Sequence, residues 1–74
     1  MSQVLDVKGL NCPLPVLRTK KAMKAVPAGA VLTVEATDPN AGRDIAALCE
    51  VAGFSLLSSD ERDGVFVFRI QQAA

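Results

Sequence analysis

No histidine, tryptophan or tyrosine occurs among the 74 residues, and cysteine occurs only twice. Without imidazole, histidine general-base catalysis and histidine metal ligation are excluded, and a Cys–His nucleophile pair goes with them. The two cysteines, Cys12 and Cys49, lie far apart in the chain. They form no Cys-x-x-Cys redox pair and cannot fill a four-ligand zinc shell, so neither a metal site nor a cofactor is expected. Glycine-rich phosphate loops of the G-x-G-x-x-G or Walker type are also missing. No apolar run approaches the roughly 20 residues of a membrane span, and Met1-Ser2-Gln3-Val4 lacks the basic and apolar segments of a secretory signal. A secreted chain this small would usually hold more cysteines. The reading is a cytoplasmic protein with reduced thiols, one small domain over residues 1–74, without a membrane partner.

Half the residues are hydrophobic, which suits a packed core rather than disorder. Formal net charge is zero but unevenly placed. Residues 1–26 carry Lys8, Arg18, Lys20, Lys21 and Lys24 against Asp6 alone, whereas residues 27–74 carry seven acids against three arginines. The basic half reads either as a solvated lysine face or as a docking surface for an acidic partner.

Gln3 to Lys8 alternates weakly, with Leu5 and Val7 on one side, and predicts a first strand. A helix is expected from Pro13 to about Val26, with Val16, Thr19, Met23 and Val26 as its core stripe and Pro27-Ala28-Gly29 as its stop. Ala30 to Ala36 is a second strand. Asp38 then Pro39 makes a cap-and-first-residue pair with which Asn40 competes. Ala41, Ile45, Leu48, Cys49 and Ala52 mark the buried stripe of a second helix closed by Gly53, so Cys49 is expected to pack as a small hydrophobe. Phe54 to Ser59 predicts a third strand, Asp60 to Gly64 a hairpin loop, and Val65 to Ile70 a last strand with Phe66, Phe68 and Ile70 on one face. Gln71 to Ala74 reads as a frayed tail. The order β-α-β-α-β-β is α+β. Right-handed crossovers put both helices on one face of a mixed four-stranded sheet, with no third layer for the other face.

The chemistry concentrates in Gly9-Leu10-Asn11-Cys12-Pro13-Leu14-Pro15. Proline is tolerated in a helix's first turn, where backbone N–H groups have no intrahelical partner. Cys12 is therefore expected as the N-cap and Pro13 as the first helical residue. A thiol at the positive end of the helix dipole should ionise more readily than a free one. One activated thiol without a neighbouring base is limited to thiol exchange, with partners supplying the rest. Leu14 and Leu17 fall off the core stripe beside it. They read either as ordinary surface leucines or as a docking patch.

At these residues the chain resembles the TusA/SirA-like small sulfur carriers, whose Cys-Pro-x-Pro motif stands here as Cys12-Pro13-Leu14-Pro15. A second matching block is Asp38-Pro39, then Arg43-Asp44-Ile45 and Cys49. The resemblance implies a two-layer α/β sandwich with strand order 1-2-4-3. It implies that Cys12 takes sulfane sulfur as a persulfide from a cysteine desulfurase or rhodanese-like donor and relays it to a downstream acceptor protein, as a sulfurtransferase. Family uses include thiolation of tRNA, molybdenum cofactor synthesis and sulfur oxidation. The tRNA-thiolating branch has Glu between the two prolines, where this chain has Leu14. By the same resemblance Pro13 and Pro15 are scaffold, and Arg18 and Lys21 either attract an acidic partner or help hold the persulfide anion. The apolar Leu14 also fits the partner-docking patch of Leu14 and Leu17 read from the residues. For Arg43 and Asp44, the residues alone indicate a helix-surface charge and a first-turn acid favoured by the dipole.

Two other readings compete. One is an RNA-binding module, against which stand zero net charge, the lack of Tyr and Trp for stacking, and a small basic patch. The other is a regulatory interaction domain in which Cys12 serves only as a cap.

Overall fold

A computed structural model describes residues 2–73. Strand β1 (Ser2–Val7) leads into helix α1 (Leu14–Met23), then β2 (Val31–Ala36), helix α2 (Ala41–Ala52), β3 (Ser55–Arg62) and β4 (Val65–Gln71). The sheet order is β1-β2-β4-β3, with β1 parallel to β2 and β4 antiparallel to both of its neighbours. This is the expected α+β two-layer arrangement.

The core lies between the helices and one sheet face. Val7, Leu32, Val34, Ala36, Phe68 and Ile70 of the strands meet Met23 of α1 and Ala41, Ile45 and Cys49 of α2. Strand β2 alternates strictly between half-buried and buried residues, because only one of its faces is covered. On the uncovered face Val4, Thr33 and Arg69 stand in register, and Val4 remains 66% exposed. Beside them Lys8 pairs with Glu35 at 2.9 Å and Asp6 at 3.2 Å.

Several boundaries differ from the sequence expectation. Strand β3 continues to Arg62, and the loop shrinks to Asp63-Gly64, whose φ values of 52° and 81° form the two-residue turn that suits a twisted hairpin. Ser58 to Arg62 is a polar edge strand with little burial, so no hydrophobic alternation marks it. The β4 end is not frayed. Gln72 exchanges backbone bonds with Gly29 and Ala30, and its side-chain amide donates to the Met23 carbonyl at 2.8 Å. Ala74 lies outside the described residues. In α1 the buried residues are Pro15, Thr19 and Met23, with Val26 buried just beyond and Val16 only half-buried. Ala52, at the last turn of α2, is exposed rather than buried.

Candidate functional site

Parallel pairing of β1 and β2 sets their C-terminal ends side by side, so the loops into α1 and α2 are neighbours. Two hydrogen bonds tie them together. The Gly9 N–H donates to Thr37 Oγ1 at 2.9 Å, and the Cys12 N–H donates to Asp38 Oδ2 at 2.6 Å. Gly9, at φ 82°, takes the left-handed conformation that turns the chain out of β1. Asp38 is 7% exposed and also accepts from the Asn40 N–H at 3.1 Å. It is therefore not the cap of α2. That position belongs to Asn40, and the Asp38 carboxylate instead anchors the cysteine loop.

Helix α1 begins at Leu14, with Pro13 as its N-cap, so Cys12 sits one residue further out than expected. The Cys12–Pro13 peptide is cis. Pro15 is buried, and its carbonyl accepts from the Thr19 hydroxyl at 2.8 Å. Pro13 is exposed. Cys12 is exposed while Cys49 is buried, where loss of hydration pushes its thiol up from the ordinary range.

The cysteine's electrostatics reverse the sequence expectation. Its Sγ donates to Asp44 Oδ2 at 3.0 Å. The Asp44 carboxylate, followed by lost hydration and the more distant Asp38, pushes the Cys12 thiol up from its ordinary value, while Arg43 pulls weakly the other way. A carboxylate in contact outweighs a helix dipole that acts only within the first turn and from a residue further off. Arg43 Nε lies 3.8 Å from Asp44 Oδ1, and its side chain is 78% exposed.

A shallow apolar groove of about 400 Å³ opens beside the sulfur. Pro13 and Val16 line it from α1, and Ala47, Leu48 and Val51 line it from α2, with Cys12 and Asp44 completing the wall. Of the three α2 residues the sequence singles out only Leu48, as part of the buried stripe, where it is half-buried and borders the groove; Ala47 and Val51 have the spacing of an ordinary helix surface. Leu14, Leu17, Arg18 and Lys21 are all exposed on α1, as expected, but none of them lines the groove. Among the described residues, Arg18, Lys20, Lys21 and Lys24 make no ion pair. Among the described residues no cluster of three metal-ligating side chains occurs, and no helix is long and apolar enough to cross a membrane.

Comparison with known proteins agrees with this geometry. The family described as "Sulfurtransferase TusA" matches residues 3–72. A Neisseria meningitidis protein named for sulfur carriage is 51% identical over 70 residues, which is 95% of each chain. The sulfur carrier protein TusA of Allochromatium vinosum is 46% identical over 71 residues, covering 96% of this chain and 93% of its own. The crystal structure of a SirA-like protein from Desulfitobacterium hafniense superposes with a TM-score of 0.85 at 30% identity, over 97% of this chain and 99% of that one. A match that runs nearly end to end in sequence and in structure leaves one assignment, that the chain belongs to the TusA/SirA-like family of sulfur carriers.

Proposed function

We propose that the protein accepts sulfane sulfur on Cys12 as a persulfide and relays it to an acceptor protein. The observation that carries the reading is the exposed Cys12 sulfur in a loop fastened at both Gly9 and Cys12, while the second thiol is buried. A carrier needs a reactive atom that two successive partners can reach on a rigid mount. In the loading step Cys12 sulfur attacks the outer sulfur of a donor's persulfide. A new S–S bond forms on Cys12, the donor's S–S bond breaks, and the donor's cysteine leaves with the electron pair and takes up the proton that Cys12 gives up. One thiol and one persulfide become one persulfide and one thiol, without net oxidation.

The donor is a cysteine desulfurase or a rhodanese-like protein, and the setting is the cytoplasm. Leu14, in place of the glutamate of the tRNA-thiolating branch, favours a different acceptor. The exposed leucines Leu14 and Leu17, with Arg18 and Lys21, form the face offered to partners. Incubation with cysteine and a cysteine desulfurase should add the mass of one or more sulfur atoms to the Cys12 peptide. The addition should be removed by reductant, and the Cys49 peptide should stay unchanged. An unmodified Cys12, or sulfur chiefly on Cys49, would reject the relay.

Leu14 is 43% exposed, so Leu14→Glu should leave the thermal midpoint close to that of the parent, within about 0.5 kcal/mol. The same change should alter which proteins are captured from native extract. A large loss of stability would show that the Leu14 side chain is needed for packing.

A further inference from the structure

The thiol–carboxylate contact is not needed for a simple nucleophile; it works against one. The thiolate is the reactive form, and a carboxylate 3.0 Å away opposes its formation. The contact bridges two elements, since Asp44 lies on the first turn of α2 and Cys12 precedes α1. We propose that Asp44 is a positioning residue for Cys12, taking the thiol's hydrogen bond in the unloaded protein and restraining the sulfur until a partner's approach parts the two. This deepens the persulfide reading and rests on it.

The surroundings leave Asp44 as the dominant charge at the sulfur. From α2 the charged groups are Asp44 itself and Arg43, and from the loop before it Asp38, whose carboxylate already accepts two backbone N–H groups. Helix α1 presents Pro13 and Val16 to the groove and no charge. The Asp44 side chain is 25% exposed, so its carboxylate is held beside the sulfur yet remains within a partner's reach. A carrier restrained in this way resists small electrophiles and oxidants while it waits. After loading, the same carboxylate repels the anionic outer sulfur and keeps it directed away from α2.

The test is the pH–rate profile of iodoacetamide alkylation at Cys12, followed by peptide mass so that Cys49 is scored separately. Asp44→Asn removes the charge and keeps the shape. Its midpoint should move to lower pH, and its rate at neutral pH should rise about fivefold, the effect of deleting a unit charge a few ångströms away across water. Asp44→Glu restores the charge and should return the profile to that of the parent. A profile for Asp44→Asn that overlays the parent overturns the proposal. So does equal acceleration in both variants, which would mark a loosened loop rather than a lost charge. The measurement involves no sulfur donor, so it separates the two readings. An unchanged profile with normal sulfur loading removes only the role of Asp44, whereas a shifted profile without loading removes only the relay.

Discussion

Phe68→Ala should leave the protein marginally folded or unfolded at room temperature. The ring is fully buried in β4, where Val34 and Ser59 flank it in register on the neighbouring strands, and it stacks beside Phe66 with centroids 6.4 Å apart. Deleting a buried phenylalanine costs about 3–5 kcal/mol in lost transfer energy and cavity formation. A domain of this length holds only about 4–11 kcal/mol in total, so one side chain accounts for a large share. The loss also reaches the site. A Cβ built on Gly42 would lie 3.8 Å from the ring, so the first turn of α2, which carries Asp44, rests on Phe68. Urea unfolding followed by far-UV circular dichroism measures the effect, because the chain has neither Trp nor Tyr for fluorescence. Phe68→Leu should lose less than about half as much, since volume is largely kept. A Phe68→Ala midpoint equal to the parent's would mean that the ring does not bridge sheet and helix as described.

What could be read from the sequence follows from how local its cause is. Helix stripes and alternating strands declare themselves through neighbours three, four or two residues apart, and Ile45, Cys49, Phe68 and Ile70 all lie where periodicity puts them. The crossover rule then fixes the layers. Strand β3 was legible only over its first half, since its remainder is an edge that buries nothing. The start of α1 was misplaced by one residue, because either proline satisfies the rule for a first helical turn.

The site divides in the same way. The place of Cys12 ahead of the helix could be anticipated from its two prolines to within one residue, but its ionisation could not. The sulfur's partner Asp44 is 32 residues away, and the acceptor for its backbone N–H, Asp38, is 26 residues away. Read locally, those two carboxylates are a helix cap and a dipole-favoured acid. Folding gives them a different task, because parallel strands bring their loops together. The signal was present in the topology rather than in either loop: two strand-to-helix turns at one sheet end, one with a thiol and the other with two acids.

Asp38 is where that juxtaposition is held, and Asp38→Ala should lower stability by about 3 kcal/mol. The residue is 7% exposed, and its carboxylate accepts from two N–H groups, those of Cys12 and Asn40. Hydrogen bonds to a charged group contribute about 1.5–3 kcal/mol each, and removing the acceptor leaves both donors to find water. Part of that loss is recovered at Cys12, which is exposed, so the sum falls short of two full bonds. For a domain of this size the thermal midpoint should drop by about 12–24 °C. Asp38→Asn keeps one carbonyl acceptor and should fall between the parent and the alanine variant. Amide hydrogen exchange gives a second, local reading, in which the Cys12 N–H should lose protection well before the core strands do. If exchange at Cys12 and the thermal midpoint both match the parent, the loop is held by something other than Asp38. If exchange at Cys12 rises, the distance from Sγ to Asp44 is no longer fixed either. In that case Asp38→Ala should alkylate faster at neutral pH than the parent, with Asp44 still in place.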